Sequence, residues 1–201
     1  MQKNDIIKLV IIMKNSLLYT IVRPIVSGLF KLLYRPKYIG KENIPKSGRV
    51  ILAGNHKNNL DPVYLLSSTK RPVHFLAKRE LFIGLKGIIF NHMGLIPVDR
   101  KTKSHHSLEL AEKYLESEKM IGIFPEGTFN RSDDTILPFK IGAVKMSYDT
   151  NSKIVPFTIK GDYKIFSKNL VITFLKPIDI KDDLEVENKR LEDIIRKDLE
   201  E

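Results

Sequence analysis

The segment from residue 49 to residue 66 constrains the fold of this chain more than any other. Its first part, RVILAG at residues 49–54, is typical of a buried strand, and VYLL at residues 63–66 is typical of a helix. Between them, Asp61 and Pro62 form a helix-start signal, with an acidic N-cap followed by proline at the first helical position. The segment therefore predicts a strand, a short loop and a helix.

This predicted turn would bring His56 close to Asp61. On one regular helix, residues five apart lie about 140° apart and do not meet, but across a strand–loop–helix turn they do. A carboxylate on one ring nitrogen fixes the tautomer of a histidine and leaves the other nitrogen free to accept a proton. The chain has no cysteine and no Gly-x-Ser-x-Gly elbow, so we predict a base that acts on a substrate hydroxyl. The alternative is that His56 caps a turn and Asp61 merely caps the helix.

Composition limits the classes of protein and of partner. A length of 201 residues suits one domain with a sizeable core. The absence of cysteine excludes disulfides and thiolate metal sites and fits a reducing compartment. The net charge of +10 favours an anionic partner, namely a membrane surface, a nucleic acid or a phosphorylated substrate. The charge is uneven, because residues 1–41 carry +7 whereas residues 179–201 carry −5.

Residues 1–35 predict an amphipathic helical arm. Lys8, Lys14 and Arg23 interrupt its apolar run, whereas a membrane-spanning helix needs about 20 predominantly apolar residues. No cleavage site for a signal peptide follows. Pro24 is predicted to kink the helix or to start its second half. One face of the predicted helix is apolar and the opposite face is polar or basic: Leu18, Ile21, Val22, Ile25, Leu29 and Leu32 against Thr20, Arg23, Ser27 and Lys31.

Two environments fit such a helix. It can lie in a membrane interface with its cations on anionic head groups, or it can pack its apolar stripe on the core of the protein itself. We favour the membrane interface, because the stripe is broad and the charges on the polar face are all basic.

The remainder of the chain, residues 36–201, predicts a single α/β domain with a central mixed sheet flanked by helices. Residues 35–47 are predicted to be a connector, and the acidic tail from Asp179 a polar, solvent-facing helix. Ligands of such sheets bind beyond the carboxyl ends of the strands, where His56, Arg100 and Glu126 are expected. Apolar runs predict the further strands at 73–77, 94–100, 120–124, 154–159 and 170–174, with a helix at 107–119 and another entered from 138–145.

Four short motifs occur in a fixed order: NHKNNLD at 55–61, GLIPVDR at 94–100, FPEGT at 124–128 and IVPF at 154–157. Together they resemble the four conserved blocks of the glycerolipid acyltransferases, the 1-acylglycerol-3-phosphate (lysophosphatidate) acyltransferase family. The resemblance covers roughly residues 45–165 and implies a glycerol-3-phosphate acyltransferase-like fold. It also likens the arm to the two-helix membrane-docking motif of the bacterial members, which implies a peripheral protein on the cytoplasmic face of the cell membrane.

The resemblance implies a role for each motif. His56, oriented by Asp61, would deprotonate the free hydroxyl of a lysophospholipid, which attacks the thioester of acyl-CoA or acyl-carrier protein and gives phosphatidic acid. Arg100 and the loop of Glu126, Gly127 and Thr128 would hold the phosphate, with backbone N–H groups contributing. Because a carboxylate repels phosphate, Glu126 would orient Arg100 or bind a glycerol hydroxyl. The alternative is a loop carboxylate that accepts backbone N–H bonds. Neither a bound cofactor nor a metal is expected.

One position departs from the family pattern. The third block commonly continues FPEGTR, and here Phe129 occupies the place of that arginine. Arg131 or Lys140 would then supply the charge, and which of them does so is left open by the sequence.

Other functions also remain open. The acceptor can be another lysolipid or glycerol 3-phosphate, or the chain can be a non-catalytic protein that binds the membrane surface. A nucleic-acid partner is not expected, because the basic arm is apolar on one face and no helix-turn-helix or aromatic-rich strand is visible.

Overall fold

The computed structural model describes the backbone of residues 3–84, 95–98 and 106–201, and the side chains of residues 19–84, 95–98 and 107–201. Arg100, which the sequence analysis assigns to the phosphate site, lies outside the described residues. The five described helices are α1 (Lys3–Tyr34), α2 (Asp61–Ser68), α3 (His106–Glu116), α4 (Gly142–Thr150) and α5 (Leu184–Glu200). The described strands are β1 (Lys37–Ile39), β2 (Val50–Gly54), β3 (Val73–Lys78), β4 (Ile96–Val98), β5 (Met120–Ile123), β6 (Lys153–Lys160) and β7 (Val171–Phe174).

These strands form one mixed sheet in the order β1-β7-β6-β2-β5-β3-β4. The pairing of β6 with β7 is antiparallel, and every other pairing among the described strands is parallel. The predicted α/β domain with a mixed sheet and flanking helices is therefore confirmed. The edge strand β1 lies in the segment predicted to be a connector, because three residues with mixed burial carry too weak a pattern to predict.

Strand β2 lies at the centre of the sheet, and all five of its residues are buried. Its side chains alternate between two hydrophobic cores, with Leu52 in the core under α1 and α2 and Ile51 in the core under α3, α4 and α5. A strand covered on both faces is expected to be continuously apolar, which explains why VILA carries no polar residue. The loop that follows β2 therefore begins from a strand that is held by packing on both faces.

Helix α5 differs from the prediction. The acidic tail was expected to be solvent-facing, but Leu191 and Ile195 are completely buried in the second core. These two residues are four apart, so they share one face of the helix and pack on the sheet while the acidic side chains lie on the other faces. The net charge of the segment concealed this narrow apolar face.

Helix α1 continues through Pro24 without a break. Its described part packs on α2 through the face that the sequence analysis identified as polar: the Arg23 guanidinium donates to the carbonyls of Leu66, at 3.1 Å, and Thr69. Phe30 enters the core on this side. The apolar stripe lies opposite and is 54–67% exposed at Ile21, Ile25, Leu29 and Leu32. These four side chains therefore do not pack on the described core. Among the described residues, no helix has the length and hydropathy that crossing a bilayer requires.

Candidate active site

The end of β2 is locked one residue before His56. The amide of buried Asn55 exchanges two hydrogen bonds with the backbone of Ile159 on β6, donating through Nδ2 at 3.0 Å and accepting through Oδ1 at 2.7 Å. A Cβ atom on the preceding Gly54 would lie 2.3 Å from the carbonyl oxygen of Phe157, so β6 approaches too closely for any other residue. The backbone of His56 therefore starts from a fixed point at the carboxyl end of two parallel strands.

Asp61 anchors the loop between β2 and α2. Its Oδ2 accepts the backbone N–H groups of Lys57 at 2.7 Å and Asn58 at 2.8 Å. The prediction that Asp61 is the N-cap is wrong, because Asp61 is the first helical residue and Leu60 is the N-cap. Pro62 consequently occupies the second helical position, one residue later than predicted. The carboxylate turns back over the loop, where it binds the chain that carries His56.

His56 and Asp61 are in direct contact. Nδ1 of His56 lies 2.8 Å from Oδ2 of Asp61, which is completely buried, whereas the His56 side chain is 15% exposed. An ionised carboxylate only accepts hydrogen bonds, so this contact favours the neutral tautomer in which Nδ1 carries the proton and Nε2 keeps its lone pair. The predicted proximity of the two residues is thereby confirmed, and the arrangement leaves a nitrogen that can accept a proton.

Tyr163 is a contact of Asp61 that the sequence analysis missed. Its hydroxyl donates to Oδ1 of Asp61, the oxygen that His56 does not contact. Burial and the charge of Asp61 both raise the pKa of Tyr163, so the phenol stays protonated and acts as the donor. The two residues are 102 positions apart, and only the position of Tyr163 shortly after β6, beyond the same end of the sheet as His56, could have indicated the contact.

The imidazole ring of His56 lies between two phenylalanine rings. Phe124 stacks on it with centroids 4.0 Å apart and planes 13° apart, and Phe129 contacts it at 4.3 Å and 54°. Phe129 is the residue that replaces the arginine of the family pattern. Its side chain therefore packs on the histidine, and these contacts restrict rotation of the ring about the position that Asp61 fixes.

Glu126 connects the loop after β5 to the loop after β2. It is 3% exposed, and its two oxygens accept the backbone N–H groups of His56 at 2.7 Å and Leu137 at 2.9 Å. Burial raises the pKa of Glu126, and these two hydrogen bonds partly oppose the rise by stabilising the carboxylate. The contacts match the alternative of a loop carboxylate that binds backbone N–H groups.

The predicted phosphate-binding residues lie around the same loop. Gly127 has a left-handed backbone (φ 71°), and a Cβ atom there would lie 2.6 Å from Nζ of Lys140. The backbone N–H of Lys140 donates to the carbonyl of Pro125 at 3.0 Å, which places the lysine beside the loop. Thr128 and Arg131 are exposed. The structure thus brings Gly127 and Lys140 together, whereas Arg100 lies outside the described residues.

A cavity of about 420 Å³ opens beside His56 and is lined by Lys57, Asn130, Thr135 and Gly161 among others. It is bounded by the loops after β2, β5 and β6 and by the C-terminal end of α5. His56, Lys57 and Glu126 therefore border one open space whose lining is largely polar. Such a space suits a polar acceptor better than a buried apolar ligand.

Comparison with known proteins identifies the family. A family model described as acyltransferase matches residues 35–160, which is most of the chain and includes His56, Asp61 and Glu126. The chain belongs to the acyltransferase family. Its similarity to the 1-acyl-sn-glycerol-3-phosphate acyltransferase of Borreliella burgdorferi is 39% identity over 135 residues, covering 66% of this chain and 54% of the relative. The Bacillus subtilis protein of the same name is 30% identical over 127 residues, covering 62% of each chain.

The fold has also been observed in this family. The crystal structure of the 1-acyl-sn-glycerophosphate acyltransferase from Thermotoga maritima superimposes with a TM-score of 0.73 at 22% identity, covering 89% of this chain and 78% of that one. The human 1-acyl-sn-glycerol-3-phosphate acyltransferase alpha is 31% identical over 144 residues, covering 69% of this chain and 50% of its own length. The chain spans about half the length of several of the curated relatives that it matches.

Proposed function

We propose that this acyltransferase-family chain transfers a fatty acyl group from acyl-CoA or acyl-carrier protein to the free hydroxyl of 1-acylglycerol 3-phosphate. The product is phosphatidic acid for phospholipid synthesis. The observation that carries the proposal is the 2.8 Å contact of His56 Nδ1 with the buried carboxylate of Asp61, which leaves Nε2 as a base at an open cavity. The names of the relatives supply the acceptor class.

The proposed reaction needs one proton carrier. Nε2 of His56 takes the proton of the acceptor hydroxyl as its oxygen attacks the thioester carbonyl carbon. The new C–O bond forms and the C–S bond breaks, and the departing thiolate takes the proton from the imidazolium. Asp61 stabilises the imidazolium between these steps, and the acyl donor is a substrate, so no bound cofactor takes part.

Cations beside the loop after β5 are proposed to bind the acceptor phosphate. Lys140 crosses Gly127 at the surface of the site, and backbone N–H groups of that turn can add donors. Arg100 is proposed as the main ligand, because a guanidinium binds two phosphate oxygens at once and the residue belongs to a well-matched motif. Glu126 is proposed to hold the loop in shape through its two backbone contacts.

The proposed location is the cytoplasmic face of the cell membrane, as a peripheral protein. The exposed stripe of α1 supports it, since four large apolar side chains are more than half exposed there. The arm of residues 1–35 would rest on anionic lipid, and the domain of residues 36–201 would receive a lysophospholipid from the same surface.

A thiol-release assay tests the proposal without protein background. Because the chain has no cysteine, a thiol reagent added with acyl-CoA reports only the coenzyme A released. Acceptors should include 1-acylglycerol 3-phosphate, the matched monoacylglycerol without phosphate and glycerol 3-phosphate. We expect the fastest release with the first, with phosphatidic acid identified as product, and mass detection extends the comparison to acyl-carrier protein. Faster release with glycerol 3-phosphate or another lysolipid would show that the acceptor differs from the one proposed. If no acceptor increases the release of coenzyme A, the proposed acyltransferase activity is excluded.

A further inference from the structure

The loop that follows β6 carries an exposed apolar tip. Ile165 is 51% exposed and Phe166 is 56% exposed, and Lys164 and Lys168 flank them in sequence. Neither apolar residue is used by the proposed mechanism. Two adjacent large apolar side chains at a loop tip, flanked by lysines, are uncommon on a surface that faces only water.

Contacts with α1 fix this tip beside the apolar stripe. The backbone N–H of Phe166 donates to the carbonyl of Leu33 at 2.7 Å, and the Arg35 guanidinium lies 5.4 Å from the centre of the Phe166 ring. Phe166 has a left-handed backbone (φ 62°), a conformation that non-glycine residues adopt only when surrounding contacts hold it. The tip therefore lies at the last turns of α1, where the exposed side chains of Leu29 and Leu32 end the stripe.

The charges around this surface favour one occupant. Residues 28–37 and 161–169 together contain five lysine or arginine residues and one aspartate, Asp162. We propose that the tip formed by Ile165 and Phe166 inserts into an anionic lipid bilayer beside α1, as a second membrane contact far from it in sequence. The apolar side chains would enter the boundary of the acyl chains while the flanking cations bind lipid phosphates. This inference rests on the lipid acceptor proposed above, but its test needs no catalysis.

The chain contains no tryptophan, so one introduced indole reports on its own position. Phe166→Trp places it at the tip, and Tyr148→Trp places a control at a residue of α4 that is 54% exposed on the opposite side of the sheet. Vesicles of equal parts phosphatidylglycerol and phosphatidylcholine are added, with and without bromine on the acyl chains. We expect a shift to shorter wavelength and quenching by brominated lipid at position 166 and neither change at position 148.

Equal responses at the two positions, or none at position 166, would overturn the proposal. A shift at position 166 that depends on protein concentration without lipid would also overturn it, because a second copy of the chain would then cover the tip. Replacing the tip with Ile165→Ser and Phe166→Ser should lower the vesicle partition coefficient at least about tenfold, whereas Tyr148→Ser with Val186→Ser should leave it unchanged. An unchanged thermal midpoint of each variant shows that folding is preserved.

A separate observation assigns a role to Tyr163, three residues before Phe166. Its hydroxyl bonds Oδ1 of Asp61, and its ring lies edge-on to Phe30 at 6.3 Å and Tyr34 at 5.8 Å on the buried side of α1. Asp61 thus accepts hydrogen bonds on both of its oxygens. One of the donors, Tyr163, packs its ring on α1, the helix that is proposed to rest on lipid. We infer that Tyr163 is a positioning residue, which acts on the proposed base through Asp61.

Tyr163→Phe keeps the ring and removes this hydrogen bond. With lysophosphatidate as acceptor we expect kcat to fall about tenfold or more with little change in KM, because the lost hydrogen bond to a charged group acts on the proposed base and not on substrate binding. Tyr34→Phe is the matched control, since it removes the hydroxyl of the neighbouring ring, which does not bond Asp61 in the described structure. It should retain wild-type kcat.

A cycle with Asp61→Asn separates positioning from folding. In the Asp61→Asn background the side chain that accepts the hydrogen bond from Tyr163 is no longer charged. Most of the loss in kcat caused by Tyr163→Phe should therefore disappear in that background. A loss of equal size in both backgrounds, or no loss in the wild-type background, would overturn the role of Tyr163. If the wild-type chain itself shows no turnover while His56 and Asp61 are intact, the proposed function fails instead.

Discussion

The loop after β2 and the loop after β5 form the two halves of the candidate site, and they are built differently. In the first, Asp61 is completely buried and accepts four hydrogen bonds, from Lys57, Asn58, His56 and Tyr163. In the second, a buried Glu126 holds the backbone, while the exposed Lys140 presents its charge to solvent.

The difference indicates which half depends on the substrate. The first half is complete without a ligand, since its ionisable groups have protein partners and its geometry is fixed by buried contacts. The second half provides a rigid turn and an exposed cation, which a bound anion would neutralise. Changes in the first half should therefore lower the rate with every acceptor, and changes in the second should discriminate between acceptors with and without a phosphate.

The largest expected effect is in the first half. His56→Ala should lower kcat by about 10²- to 10⁴-fold, because no other group replaces the base. Asp61→Asn should lose much of the rate as well, since an amide offers the imidazole the wrong partner. The measurement is thiol release with 1-acylglycerol 3-phosphate and with the matched monoacylglycerol. The loss should be equal for both acceptors, with vesicle binding unchanged, and near-wild-type turnover in both variants would exclude this pair as the catalytic base.

A smaller, selective effect is expected from Arg100. Because a bidentate charge-assisted contact contributes about 1.5–3 kcal/mol, Arg100→Ala should lower kcat/KM for the phosphate-bearing acceptor roughly ten- to a hundredfold. Arg100→Lys should recover only part of it, since a point charge does not replace the planar fork. Lys140→Ala and Arg131→Ala are the comparison variants and should cost less.

The control for these variants is an acceptor that lacks the phosphate, with which the same losses in kcat/KM are measured. Equal losses with both acceptors would mean that Arg100 supports the fold and not the phosphate. A larger phosphate-specific loss at Lys140 or Arg131 would transfer the role to that residue.

Local sequence signals predicted the first half well and the second half incompletely. The strand–loop–helix turn at residues 49–66 is encoded within one short segment, so the proximity of His56 and Asp61 followed from the pattern of that segment alone. Tyr163 reaches Asp61 from 102 residues away, and no local pattern marks such a contact. The partners of Glu126 are backbone groups, which a side-chain pattern does not reveal.

The two terminal helices show the same limit in opposite directions. The packing of the polar face of α1 on α2 was not predicted, because Arg23 donates to the carbonyls of Leu66 and Thr69 at the end of α2 instead of facing water. In α5 the charge of the segment outweighed two buried apolar residues. Burial of a helix face depends on what the neighbouring element offers, which periodicity alone does not encode.

The smallest expected effect concerns Phe129, where this chain departs from the family pattern. Phe129→Arg removes a ring that contacts His56 at 4.3 Å and introduces a cation in the loop that carries Gly127. An exposed ion pair contributes about 0.2–1 kcal/mol, so the ratio of kcat/KM with phosphate to that without should rise only about 1.4- to fivefold. Phe129→Leu is the matched control, because it also removes the aromatic contact but adds no charge. If the arginine variant raises the ratio no more than the leucine variant does, position 129 does not face the phosphate in this chain. The cation must then come from elsewhere in the site, and the ring of Phe129 serves His56.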